Sequence, residues 1–197
     1  MGGRSGIFGG AFNPVHNGHL GIAHSFLNSG LINELLILPV WHPPHKGNSS
    51  LENFDHRIEM ARIAFSGVDG CKVSDLESRL DSPSYTLKTV DYLNHRNPQT
   101  TWFLCMGEDS AASLKKWYQY RELLEKVTVL IASRPGYSQI SVEPDLRERM
   151  IWVEHSPDNL SSSQIRSGHQ QEEVPDGVRE YIIKHKLYPE TFRPGSI

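Results

Sequence analysis

Short apolar runs of strand length alternate with helical patterns along this chain, and that alternation restricts its fold more than any other feature. The runs are Ser5 to Phe8, Glu34 to Pro39, Cys71 to Ser74, Thr101 to Met106, Val127 to Ala132 and Ile151 to Val153. Between them lie helical patterns starting at Gly18, Phe54 and Tyr85, and a further one running to Glu125; a last amphipathic helix is expected over about Pro175 to His185. The predicted class is α/β, a parallel sheet covered by helices. With 197 residues the chain has room for one well-buried domain of this kind, so residues 1–197 are expected to fold as a single unit. In the pattern from Phe54, the residues Ile58, Ala61, Ile63 and Phe65 supply most of the apolar face, and Gly67 and Gly70 mark its end. Trp41 to Asn53 and Pro135 to Asp145 read as loops at strand ends, where α/β sheets bind ligands.

Composition removes several classes of function. A formal charge of −3 argues against broad nucleic-acid binding through a basic face, yet leaves room for a local basic pocket that takes a small anion. No apolar segment approaches membrane-spanning length, so no membrane partner is expected. Met1 to Gly6 is not followed by the apolar core of a signal peptide, and Gly6 stands where a myristoylation signal wants Ser or Thr. Cys71 and Cys105 lack CxxC spacing, which suggests neither a zinc site nor a disulfide framework. Buried free thiols in a reducing cytoplasm are expected. A homo-oligomer stays open.

One run carries chemistry: Gly9-Gly10-Ala11-Phe12-Asn13-Pro14-Val15-His16-Asn17-Gly18-His19. A strand closed by two glycines leads into a helix start, where free backbone N–H groups and the positive dipole end favour an anion. His16 and His19 flank that start, so their rings can reach the same phosphate oxygens and form a triphosphate cradle. Either histidine alone would read as a polar residue at a helix start. Ser161-Ser162-Ser163-Gln164-Ile165-Arg166 reads as a second, capped helix start. A redox dinucleotide-binding protein is disfavoured, because neither G-x-G-x-x-G nor a P-loop GKS or GKT occurs.

The first run resembles the signature of the HxGH nucleotidylyltransferases: a glycine pair, Thr or Ser, Phe, Asp or Asn, Pro, and HxGH. Ser161 to Arg166 is similar to their distal ISSTxIR segment. Ala11 departs from the commoner Thr or Ser, Asn13 from the commoner Asp, and Ser163 from Thr. Four further segments resemble those of the nicotinate mononucleotide adenylyltransferases. They are Leu38 to Lys46 (PxxxPPHK), Ser84 to Thr89 (SYTxxT), Met106 to Ser110 with Trp117-Tyr118 (GADS and a WY pair), and Arg134-Pro135-Gly136 (RPG). Glu108 stands where Ala is usual. The resemblance covers Ile7 to about Tyr188. It implies a Rossmann-like parallel sheet with helices on both faces, of the adenine nucleotide alpha hydrolase-like nucleotidylyltransferase fold, with the part from about residue 161 completing an ATP site. It also implies transfer of AMP from ATP to nicotinate mononucleotide.

That chemistry suits these residue types. A phosphate monoester, with a second pKa of about 6, is mostly ionised near neutrality and needs no general base. The obstacle is charge repulsion, so catalysis comes from alignment and charge stabilisation. By the resemblance, His16 and His19 donate to the α- and β-phosphates, while Arg166 with Ser162 and Ser163 holds the β- and γ-phosphates. Gly9, Gly10, Ala11, Phe12, Gly18 and Gly107 shape the ATP site. Asp109 meets a ribose or adenosine hydroxyl or serves as a helix N-cap, and Arg134 touches nucleotide or pairs with a local carboxylate. His45 and Lys46 are assigned to substrate phosphates, against a solvated lysine. Trp117 stacks on a pyridine ring, with Tyr118 following it; Tyr85 is also assigned to the substrate, and Thr86 with nearby N–H groups receives the nicotinate carboxylate; taken alone, Trp117 would read as core. Mg²⁺ is expected with ATP, held by water and phosphate oxygens and by no protein metal ligand. The alternatives are a sister enzyme acting on nicotinamide mononucleotide or phosphopantetheine, and a non-catalytic nucleotide-binding module.

Overall fold

A computed structural model describes residues 3–43, 51–133, 142–155 and 160–192. The strands are β1 (Arg4–Gly10), β2 (Glu34–Pro39), β3 (Cys71–Val73), β4 (Thr101–Gly107), β5 (Thr128–Ala132) and β6 (Met150–Val153). They form one sheet in the order β3-β2-β1-β4-β5-β6, with every pairing parallel. This is the doubly wound arrangement, and the order reverses between β1 and β4.

Strand side chains alternate between two cores, as the pleat requires. On one face Phe8, Leu35, Ile37, Phe103, Cys105 and Leu130 meet α1 (Asn17–Asn28), α2 (Phe54–Phe65), α7 (Ser162–Arg166) and α8 (Asp176–His185). On the other, Ile7, Leu38, Leu104, Met106, Val129 and Ile131 meet α3 (Thr86–Arg96), α4 (Glu108–Ala112), α5 (Tyr120–Lys126) and α6 (Pro144–Arg147). Both faces are covered, which explains strands that read as unbroken apolar runs.

Four expectations need correction. The helical stretch up to Glu125 is broken into α4, a 3₁₀ turn at Leu114–Lys116 and α5, because Gln119 sits at φ 47 and starts a new helix. The buried stripe of α2 is Phe54, Arg57, Ile58, Met60, Ala61 and Phe65, with Ile63 only half-buried. Cys71 is half-buried on edge strand β3, whereas Cys105 is buried as expected. The expected loop ending at Asp145 runs into α6, which opens with Pro144 at its first position. Among the described residues, no helix is long and apolar enough to cross a membrane.

Candidate active site

β1 and β4 carry their loops in opposite directions from the switch point, which leaves a crevice at their carboxyl ends. The loop leaving β1 turns back at once: Phe12 adopts φ 46 and lays its ring against Gly10, where a β carbon would lie 3.2 Å from the ring. That ring is 1 % exposed and meets Phe8 and Phe65 edge-on, at 5.8 Å and 6.0 Å between centroids. The side chain of Phe12 is therefore core, and only its backbone is left to face a nucleotide.

Arg57 fixes this loop from below. Only 2 % exposed, it donates to the carbonyls of Ala11 (2.9 Å), Val40 (2.8 Å) and Glu52 (2.9 Å). One guanidinium thus ties the ends of β1 and β2 and the start of α2 together. Asn13 completes the tie, since its Oδ1 accepts from the Glu52 N–H at 3.1 Å and from the Tyr188 hydroxyl at 2.6 Å. Burial pushes the Tyr188 phenol well above its ordinary range, so it remains a donor. Neither Arg57 nor Tyr188 was singled out from the sequence. A detectable signal existed for Arg57, a charged residue on the apolar stripe of α2.

His16 stands at the N-cap of α1, buried, with the half-buried His19 one turn on. Their rings lie 3.8 Å apart between centroids. The His16 backbone N–H donates to Nδ1 of His19 at 3.2 Å. With Nδ1 accepting, neutral His19 carries its proton on Nε2, the tautomer a phosphate-binding donor needs. Gly18 is buried against His16, and a β carbon there would come 3.0 Å from Nδ1 of the ring.

The distal segment docks on the same loop. Ser161 caps α7, its Oγ accepting from the Gln164 N–H at 3.2 Å. Ser162 donates to the Pro14 carbonyl at 2.9 Å and Arg166 to the Asn13 carbonyl at 2.6 Å. A second arm of Arg166 reaches the Ser163 hydroxyl at 3.4 Å. The structure thus brings His16, His19, Ser162, Ser163 and Arg166 around one loop and gives Ser162 a structural bond.

Beside this loop, a cavity of about 260 Å³ opens between the ends of β1 and β4 and the start of α3. It is lined by Gly9, Gly10 and Ala11 on one side and by Tyr85, Thr86, Trp117 and Tyr118 on the other. Trp117 is half-buried, its Nε1 donating to the Ser113 hydroxyl at 3.4 Å; it both packs against the core beneath and lines the cavity. Tyr85 and Tyr118 stack at 4.3 Å with planes 18° apart. Glu77, from a 3₁₀ turn at Leu76–Arg79, also lines the cavity and is 8 % exposed. Burial pushes its carboxyl up to about 7. Glu77 was not singled out from the sequence.

Gly107 is the N-cap of α4, so Asp109, exposed in the first turn, is not the cap. Glu108 is fully buried and accepts from the Ser133 hydroxyl at 3.2 Å. His45, Lys46 and Arg134 lie outside the described residues.

Comparison with known proteins agrees with this geometry. A cytidylyltransferase-like family model matches residues 7–168. The chain is 32 % identical to the nicotinate-nucleotide adenylyltransferase of Bacillus subtilis, over 94 % of this chain and 98 % of that protein. It is 35 % identical to the probable nicotinate-nucleotide adenylyltransferase of Oceanobacillus iheyensis, over 93 % of this chain and 95 % of that protein. Among solved structures, Plasmodium falciparum nicotinic acid mononucleotide adenylyltransferase complexed with NaAD shares the fold, with a TM-score of 0.78 at 19 % identity over 95 % of this chain and 98 % of that one. Matched along nearly its whole length, this chain belongs to the nicotinate-nucleotide adenylyltransferase family.

Proposed function

We propose that this chain transfers the adenylyl group of ATP to nicotinate mononucleotide, forming nicotinate adenine dinucleotide and pyrophosphate in NAD biosynthesis. The observation that carries the reading is the junction of two half-sites at the switch point: the His16–His19 cradle on one flank of the Gly9-Gly10-Ala11 turn, and the Trp117 cavity on the other. In this reading ATP lies over the α1 start, with Nε2 of His19 and the His16 ring donating to phosphate oxygens. Arg166 faces the outer phosphates while its anchored arm keeps the loop in place. The pyridine ring stacks on Trp117, and its carboxylate meets the N-terminus of α3 at Thr86. The ionised phosphate of the mononucleotide then attacks the α-phosphorus in line, and pyrophosphate leaves toward the histidines and the arginine.

Mg²⁺ fits this arrangement as a passenger of ATP. The groups facing the triphosphate are imidazoles and a guanidinium, which are donors rather than ligands for a hard cation, so phosphate oxygens and water would hold the ion. When bound it would neutralise charge on the leaving pyrophosphate. We read residues 1–197 as one catalytic unit, since Ser162, Arg166 and Tyr188 all bond the β1 loop. A cytoplasmic setting suits the two free cysteines. The deciding measurement is pyrophosphate release from ATP with nicotinate mononucleotide, nicotinamide mononucleotide or phosphopantetheine as acceptor. Turnover fastest with the first supports the reading, and turnover with none of them defeats it.

A further inference from the structure

Among the described residues that line the cavity, Glu77 is the only carboxylic acid. Its neighbours do little to hold a negative charge there. The Trp41 N–H donates to Oε2 at 3.3 Å and the Thr89 hydroxyl to Oε1 at 3.4 Å, both long, and Ser84 adds a third contact. Arg57 attracts Glu77 electrostatically, but its guanidinium is committed to three carbonyls. Among the described residues, no other cationic side chain bonds the Glu77 carboxyl. Lys88 of α3 lies over the Tyr85 ring at 5.5 Å and donates to the Asp81 carbonyl, a cation at the cavity wall that makes no bond to Glu77, and Arg79, on the same turn as Glu77, pairs with Asp75. Burial holds the Cys105 thiol, which also lines the cavity, protonated. His42 adjoins through Ser84, its backbone N–H donating to the Ser84 hydroxyl at 3.1 Å.

We propose that Glu77 makes acceptor choice proton-linked: it must be protonated for an anionic pyridine carboxylate to share the cavity, so the acid mononucleotide binds with uptake of a proton and the amide does not. This rests on the reading that the cavity takes the pyridine mononucleotide. Two carboxylates in one small, largely apolar cavity repel strongly, because little water screens them. A protonated Glu77 removes the repulsion and can donate its O–H. Because burial places the Glu77 carboxyl near neutrality, the proton is available from solvent without a large cost. Binding and protonation then favour each other reciprocally. Glu77 acts here as a specificity and positioning residue and touches no reacting phosphate.

Calorimetric titration of the wild-type protein at about pH 7.5, in two buffers of different ionisation heat, tests this directly. Both mononucleotides carry the same phosphate, with its pKa of about 6, so that titration cancels in their difference. The expected result is net proton uptake for the acid beyond that for the amide. The affinity ratio of acid to amide should also fall about sixfold from about pH 6.5 to about pH 8.5, the change that a one-unit rise in the Glu77 pKa on binding would give. Glu77→Gln should abolish the extra uptake and flatten the ratio while leaving the ATP Kd in place. Equal proton uptake for acid and amide in the wild type overturns the inference and leaves the proposed reaction standing. Persistence of the extra uptake in Glu77→Gln overturns it as well. Failure of nicotinate mononucleotide to bind defeats the reaction itself, and this inference with it.

Discussion

The α carbon of Gly18 lies against the imidazole of His16: a β carbon built there would come 3.0 Å from the ring Nδ1 and 3.3 Å from Cβ of Leu160. The glycine of HxGH is thus required by the histidine ring packed beside it. Gly18→Ala should push His16 away from the phosphate site while raising helix propensity within α1. Misplacing a group by about 1 Å can cost on the order of 10²-fold in rate. The expected outcome is a fall of at least about tenfold in kcat with little loss in melting temperature. A variant with normal kcat would show that the His16 ring position does not matter to turnover.

Arg57 is a structural keystone of the site rather than a ligand of substrate. Removing it leaves three part-buried carbonyls without their donor, each costing up to about 1–3 kcal/mol. Arg57→Ala should therefore destabilise the fold by several kcal/mol in urea titrations. Arg57→Lys should recover only part of this, because an ammonium on a flexible stem cannot reproduce the planar fork. Wild-type stability in Arg57→Ala would mean that water replaces the guanidinium without penalty.

Arg166 divides its guanidinium, one arm on the Asn13 carbonyl at 2.6 Å and another reaching Ser163 only at 3.4 Å. The short bond fixes the plane of the fork, and the remaining N–H groups are left for phosphate oxygens. Arg166→Ala should weaken ATP binding in calorimetry and lower kcat/KM by about 10- to 100-fold, the scale of a hydrogen bond to a charged group. Unchanged ATP affinity would make α7 a purely structural element.

Much of this was legible from residue spacing. Strand and helix order follows from apolar runs separated by glycine and proline signals, and β2 has the bounds its sequence suggests, Glu34–Pro39. The cap at Ser161 and the helix start after His16 follow from local chemistry. What sequence left hidden are contacts between distant elements. Asn13 with Tyr188, Arg57 with Ala11 and Val40, and Glu77 with Trp41 are brought together only by the crossovers of the sheet. Nor does the motif reveal that φ 46 turns the Phe12 ring into the core and leaves only its backbone toward the crevice.

Trp117 lines the cavity, half-buried at the end of its 3₁₀ turn, where the proposed acceptor ring would sit. Stacking on an aromatic side chain contributes about 1–3 kcal/mol per base in nucleic-acid complexes, a scale that carries over to a pyridine ring. Trp117→Ala should weaken nicotinate mononucleotide by several-fold to about a hundredfold and leave the ATP Kd unchanged. An equal loss for both ligands, or an unfolded protein, would return Trp117 to the core.

Glu77 also gives the fold a pH dependence whose sign can be derived. An ordinary glutamate titrates at 4.5, and burial pushes this one up to about 7. The folded state therefore holds the proton more tightly than the unfolded chain. The stabilisation this contributes is complete below about pH 4.5 and is lost as the pH rises through 7, where the carboxyl ionises against its desolvation. Glu77→Gln keeps a neutral group of the same shape at every pH. Its stability relative to wild type should rise between pH 5 and pH 8, by about 1–2 kcal/mol after relaxation and by no more than about 3 kcal/mol. Urea titrations of both proteins at the two pH values give this difference directly, with the titration of all other groups cancelling between them. A difference that does not change with pH would mean that Glu77 titrates normally in the folded protein.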